Sequence, residues 1–205
     1  MELWLLFIPA CLALNLTPGP DIFFVLSQAL GERRFAGLWA AMGLGVAYLG
    51  HTLLAVVGLS ALVMQSATAF MVIKYLGAAY LLYLGWTSLR SASTMHLPQA
   101  QNSGGAGRIF YRGLMVGLLN PKVALFFLAF LPQFISQELG SVPMQLLQLG
   151  LVFTLTATLC NGAYGLLGQR LKRGLQGRER VSVYLNRLSG GLMMALGARL
   201  ALVQQ

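Results

Sequence analysis

Apolar runs about as long as a bilayer is thick, separated by short polar connections, set the pattern of this chain. A membrane helix needs roughly 20 apolar residues. About six stretches qualify: Leu3–Leu30, Gly37–Met64, Phe70–Leu89, Tyr111–Ile135, Met144–Leu167 and Tyr184–Val203. Two of them are interrupted. The first carries Asn15-Leu16-Thr17-Pro18-Gly19-Pro20-Asp21 in its middle, and the fourth carries Asn120-Pro121-Lys122. An interior proline removes a helix hydrogen bond and clashes with a preceding carbonyl, at roughly 3 kcal/mol or more, while glycine tolerates unusual dihedrals. Both helices must break there. The pattern predicts an all-α polytopic membrane protein of six transmembrane helices, with helices 1 and 4 broken at proline motifs.

The two interrupted spans also align with each other. Pro18-Gly19-Pro20-Asp21-Ile22-Phe23-Phe24-Val25-Leu26 falls against Pro121-Lys122-Val123-Ala124-Leu125-Phe126-Phe127-Leu128-Ala129, and Lys74-Tyr75-Leu76-Gly77-Ala78 echoes Arg187-Leu188-Ser189-Gly190-Gly191. A repeat of three spans is odd-numbered, so its second copy must sit upside down. The expectation is one transport domain over residues 1–205, with repeat 1 at about 1–90, a cytoplasmic linker at about 91–110 and repeat 2 at about 111–205. Inverted repeats with a broken helix in matching positions point to a transporter's binding site.

Composition supports the class. Of the 205 residues 57% are hydrophobic and only 9% charged, against about a quarter charged in ordinary soluble domains. The net charge of +9 is spread over connections and not gathered on a face for nucleic acid. The first connection holds Arg33 and Arg34, the third Arg90, Arg108 and Arg112, and the fifth Arg170, Lys172, Arg173, Arg178 and Arg180. The second, Gln65–Ala69, is uncharged, and the fourth has only Glu138. Basic loops stay in the cytoplasm, so six spans put both termini outside. Met1-Glu2 offers no positive region for a removable leader, so the first run is expected to remain as a span. Cys11 and Cys160 lie in apolar runs and are expected to pack as small hydrophobes, with no metal site and no cofactor implied.

Asp21 is the only acidic residue deep in an apolar run. A carboxylate at membrane depth costs about 2.5–3.5 kcal/mol on insertion scales. It could cap the second half-helix of span one, but a serine or threonine would do that more cheaply. Lys122 occupies the matching place in span four, where it could snorkel to the interface or pair with Asp21. One negative and one positive group near the midplane would complement a zwitterion. Asn15, Thr17, Asn120 and Asn161 supply neutral hydrogen bonds beside the breaks at Pro18, Gly19, Pro20 and Pro121, or else helix-packing contacts. Tyr48 and His51 lie one turn apart on span two, as a proton relay or, for His51, an interhelical bond. Thr154, Thr156 and Thr158 are expected to bond back to their own helix. Lys74 and Arg199 are expected to snorkel. Glycines 43, 45, 50, 113, 117, 162, 165 and 168 lie at close-packing spacing on helix faces.

Several blocks together resemble a known family. Thr17-Pro18-Gly19-Pro20-Asp21 followed by Gly31-Glu32-Arg33-Arg34-Phe35-Ala36-Gly37-Leu38, then Lys74 to Gly85, Gly117-Leu118-Leu119-Asn120-Pro121-Lys122 and Phe126 to Phe134, are similar to the amino-acid exporters of the lysine exporter and homoserine/threonine resistance type. The blocks extend to Ile135, and the last third is similar only in hydropathy and glycine pattern. Glu32 before the first basic pair departs from the family's usual loop. The resemblance implies a bacterial inner-membrane exporter of amino acids or small derivatives driven by the proton motive force, with functional weight on Pro18, Gly19, Pro20, Asp21, Asn120, Pro121 and Lys122. Its partners would be the amino-acid substrate, protons and lipid, with glycine faces that allow a homodimer.

No nucleotide-binding loop and no nucleophile–base constellation occurs, so the expectation is a secondary transporter and not an enzyme. Two rivals share the architecture: a thiol-based redox relay through Cys11 and Cys160, and an inorganic-cation transporter. A hard dication wants six or more oxygens, and one carboxylate is a poor start.

Overall fold

A computed structural model describes residues 2–33, 35–59, 67–90, 104–135, 140–175 and 179–202. All regular structure among them is helical. Helix α1 (Glu2–Leu16) and α2 (Pro20–Ala29) meet at a 56° bend. Helix α3 (Ala36–Leu54) runs on into a π-helical turn at Ala55–Leu59, and α4 spans Ala67–Arg90. Helix α5 (Ala106–Leu118) meets the segment Pro121–Phe134, which opens with α6 (Pro121–Leu125), at 45°. The chain beyond α6 continues as a π turn at Phe126–Phe130 and a 3-10 turn at Leu131–Phe134. Pro132 in that last turn has no N–H to give, which is a recognised reason for a helix to change its winding. Helices α7 (Val142–Leu175) and α8 (Glu179–Leu202) complete the fold.

Both predicted breaks are present, at the expected motifs. By length and composition two continuous helices can cross a membrane, Ala36–Leu59 and Val142–Gly168, and each bent pair can supply one more. Helices α4 and α8 are long enough, 24 residues each, but less apolar: Lys74 interrupts the first, and Arg187 and Arg199 the second. They pack along each other. The basic stretch at 168–180 is mostly helix and not loop, because α7 carries Arg170, Lys172 and Arg173 before ending at Leu175. Helix α5 likewise begins at Ala106, ahead of the expected Tyr111. The polar linker at 91–103, with Arg34, Glu138 and Arg178, lies outside the described residues.

Polarity runs inside out relative to a soluble bundle. On α3 the exposed positions include Met42, Val46, Leu49 and Leu53, and on α7 they include Leu151, Leu155 and Leu159. Asp21, Gln28, His51, Thr52, Asn120, Lys122 and Asn161 are all buried. Apolar outside and polar inside is what a lipid solvent selects. The centre is aromatic: Phe126 packs 4.9 Å from both Phe130 and Phe153, and Phe7 lies edge-on to Phe134 at 5.0 Å.

Small residues let the backbones close on this centre. A Cβ at Gly113 would lie 2.6 Å from the Ala40 carbonyl oxygen, and one at Gly37 would lie 2.6 Å from Gly165 Cα. A Cβ at Gly43 would overlap the Phe110 carbonyl. These contacts seat α3 against α5 on one side and α7 on the other. Gly162 departs from the pattern, since its nearest neighbour is Leu38 at an ordinary 3.9 Å.

Lys74 does not snorkel. It is buried on the face of α4 that carries Gly77 and Ala78, with its ammonium 5.8 Å from the Tyr75 ring centroid. Gly77 is pressed so closely on Ala129 that a side chain there would overlap it. The helix packing therefore encloses the lysine. The Arg199 side chain is outside what the structure describes.

The glycine seam makes a direct prediction. Gly43→Ala must push α3 away from α5, so membrane abundance and thermal midpoint should fall by the equivalent of about 1–3 kcal/mol. Gly107→Ala, on α5 but with no described atom within 4 Å of its added methyl, should leave both unchanged or slightly raised in a detergent melt.

Candidate functional site

The two broken helices meet each other at their breaks. Helix α1 ends with Thr17 N–H bonded to the Ala13 and Leu14 carbonyls. Gly19 then runs extended at φ −158°, ψ 179°, and Pro20 opens α2, where its missing N–H would be unpaired in any case. Asp21 falls in the first turn of α2 and not at its cap. In span four Asn120 is the cap: its Oδ1 accepts the backbone N–H of Lys122 at 3.0 Å, and Pro121 follows at the first helical position. Capping is the role that sequence reasoning missed for Asn120, although an asparagine directly before a proline-led helix is its signal.

Lys122 crosses to span one. Its Nζ donates to the carbonyls of Leu14 at 3.2 Å and Thr17 at 3.1 Å, and to Asp21 Oδ1 at 3.4 Å. The Lys122 and Asp21 side chains are 4% and 3% exposed, so the snorkelling alternative fails. The electrostatics are complementary. Asp21 sits at the positive N-terminus of α2, while Lys122 leaves the positive end of its own helix for the negative C-terminal end of α1. The freed carbonyls of α1 were not foreseen as ligands, yet breaking a helix necessarily exposes them.

Gly19 has a purpose other than the one its residue type suggested. Its extended backbone suits any residue. However, a Cβ there would lie 2.9 Å from both Asp21 Oδ1 and Lys122 Nζ. Glycine is needed for room beside the ion pair and not for an unusual dihedral.

A hydrogen-bonded chain continues from the carboxylate. The Tyr48 hydroxyl donates to Asp21 Oδ2 at 3.3 Å, and Asn161 Nδ2 donates to the Tyr48 oxygen at 3.1 Å. Helices α2, α3, α6 and α7 thus each contribute one side chain to a single polar string. Phe153 stands edge-on to Tyr48 at 5.6 Å and walls it.

The remaining candidates lie at the margin. The Thr17 hydroxyl donates to its own helix at Ala13 O, 2.7 Å away, and lies 3.7 Å from Met193 Sδ on α8. Asn15 Nδ2 reaches Thr156 Oγ1 on α7 at 3.5 Å. His51 and Tyr48 serve different partners. His51 stacks on Phe127 at 5.7 Å, and its Nε2 lies 3.2 Å from the Gly117 carbonyl on α5, which requires that nitrogen to carry the proton. It makes the interhelical bond. Of the three threonines, Thr156 bonds back to Val152 and Phe153, Thr154 pairs across to Thr52 at 3.4 Å, and Thr158 packs over Gly45. Cys11 is buried and Cys160 half-buried, and both are free thiols.

The chain matches the family profile described as LysE type translocator over residues 12–204. A homoserine/homoserine lactone efflux protein of Salmonella typhi is 32% identical over 204 residues, covering 98% of this chain and 96% of the relative. A leucine efflux protein of Enterobacter sp. (strain 638) is 30% identical over 190 residues, covering 91% and 89%. The uncharacterized membrane protein YrhP of Bacillus subtilis is 34% identical over 168 residues, covering 78% and 80%. No solved structure matches. The likeness seen in motifs up to Ile135 thus extends through the last third as well. The chain belongs to the LysE-type translocator family; it is a membrane translocator and not an enzyme.

Proposed function

We propose that the protein exports amino acids or small zwitterionic derivatives across the bacterial inner membrane as a secondary active transporter coupled to proton influx. The observation that carries this reading is the buried Asp21–Lys122 pair at the junction of two proline-broken helices. Amino-acid efflux in the names of two relatives agrees with it. A static ion pair enclosed at membrane depth contributes little net stability after desolvation, so its retention calls for a use. Ionisable residues inside membranes typically mark substrate or proton pathways.

In this mechanism the closed pair is the resting state. A proton on Asp21 removes the charge that holds Lys122, freeing the ammonium for a substrate carboxylate. A substrate ammonium arriving at Asp21 displaces the proton. Tyr48 and Asn161 orient the carboxylate, Asn120 sets the start of the Lys122 helix, and Asn15 and Thr17 tie the α1 end to its neighbours. His51 stands outside the string and acts in packing. Contacts of α4 with α8 and of α3 with α7 support the inverted-repeat reading of six spans, since these are pairs that a two-fold axis in the membrane would relate. Basic connections then place both termini outside. The dication reading is disfavoured because Lys122 and Tyr48 already occupy the oxygens of Asp21.

Growth of an overexpressing strain on inhibitory concentrations of single amino acids tests the export reading. At least one compound should become tolerated and accumulate in the medium; tolerance of none would overturn it.

Asp21→Asn in proteoliposomes should retain only residual substrate exchange, at raised KM, and lose accumulation driven by an imposed pH gradient. Full gradient-driven export by this variant would disprove the coupling.

Lys122→Met should lower stability by about 3–5 kcal/mol, because it strands a buried carboxylate. Asp21→Asn combined with Lys122→Met should recover most of the abundance, measured by quantitative blotting, while export stays absent.

A further inference from the structure

Two buried amide atoms beside the ion pair have no hydrogen-bond partner among the described residues: Asn120 Nδ2 and Asn161 Oδ1. Their residues are 1% and 3% exposed. Interiors seldom leave such groups unmet, and each instance asks for an explanation. In both cases the other amide atom is already committed to the site. Asn120 Oδ1 holds the Lys122 N–H, and Asn161 Nδ2 holds Tyr48, which in turn holds Asp21. Each amide is therefore anchored from one end with its free atom held in place. The two free atoms are opposite in kind. The donor belongs to the lysine side and the acceptor to the aspartate side.

We propose that these two atoms grip the headgroup of an α-amino acid. Asn161 Oδ1 accepts from the α-ammonium that Asp21 attracts, and Asn120 Nδ2 donates to the carbonyl oxygen of the carboxyl end that Lys122 attracts. The inference rests on the export reading above and adds which atoms read each end of the headgroup. Recognition of the carboxyl end is divided between two groups. Lysine needs a negative charge, whereas an amide N–H needs only a C=O. A carboxyl ester or lactone keeps the carbonyl and its bond to Asn120, so it remains a substrate. An N-acylated amino acid has lost the positive charge that Asp21 attracts and keeps a single N–H, which cannot serve Asp21 and Asn161 Oδ1 together. The class is thus compounds with a free α-ammonium and an α-carbonyl, charged or neutral at the carboxyl end.

The probes are leucine with its methyl ester and N-acetyl derivative, and homoserine with its lactone and N-acetyl derivative, in exchange assays on the full-length protein in proteoliposomes. Wild-type protein should carry a free amino acid and its ester or lactone with KM values within about tenfold, and reject the N-acetyl compound by more than that. Asn120→Ser retains a capping oxygen and removes only the amide donor. It should raise KM for the acid and the ester or lactone alike by about tenfold or more, at unchanged abundance. Asn161→Ala should raise KM by a similar factor and narrow the preference over the N-acetyl compound. Tyr48→Phe, which removes the anchor but not the acceptor, should do so less.

Unchanged KM values in both asparagine variants would overturn the proposal while leaving export intact, and so would wild-type acceptance of the N-acetyl compounds. A loss of rate that only follows a loss of protein would do the same. Transport of none of the six probes, together with failure of the tolerance screen, would remove the export reading and this inference with it.

Discussion

Enclosing the ammonium of Lys122 is the constraint on which the rest of the structure depends. In a medium without water a lysine must find acceptors or lose its charge. Regular helices have none to offer, because each carbonyl is already bonded within the helix. Breaking α1 releases the Leu14 and Thr17 carbonyls at the point where Lys122 arrives. The break that looks expensive in one helix is therefore what makes the charge on another tolerable. Asp21 completes the shell, and Gly19 gives up a side chain so that carboxylate and ammonium can approach.

Packing around that centre follows from the same need. Four helices must each bring one side chain to a narrow polar string, so their backbones must come close. Contacts of α3 with α5 at Gly43 and Gly113, and with α7 at Gly37 and Gly165, bring them there. Aromatic side chains fill the space beside the string: Phe153 against Tyr48, and Phe126 between Phe130 and Phe153. They exclude water without adding polar groups that would compete for Lys122. The mixed winding after Lys122, from α to π to 3-10, lies within this aromatic region, and π turns recur at functional sites.

Legibility from the chain was uneven, for identifiable reasons. Both helix breaks were legible because proline acts through its own ring and missing N–H, with no help from neighbours. The pairing of Asp21 with Lys122 was legible as chemistry, since two lone opposite charges in lipid have few other partners. The environment of Lys74 was not, because a lysine on an apolar span has the same local sequence whether it faces lipid or a neighbouring helix. Thr154 and Thr156 are two residues apart on one helix, yet one bonds across and the other back; only the facing residue makes the difference.

Composition, the spacing of apolar runs and the two proline motifs determined by themselves that this is an α-helical membrane protein with two broken helices, because those features act within about one helical turn or through bulk transfer from water. The tertiary structure alone decided that the freed carbonyls of α1 hold Lys122, that Tyr48 and not His51 joins Asp21, and that Gly19 is needed for space. These depend on which backbones approach one another across 27 residues of chain for Tyr48 and Asp21 and more than a hundred for Lys122 and α1, and no local preference encodes such distances.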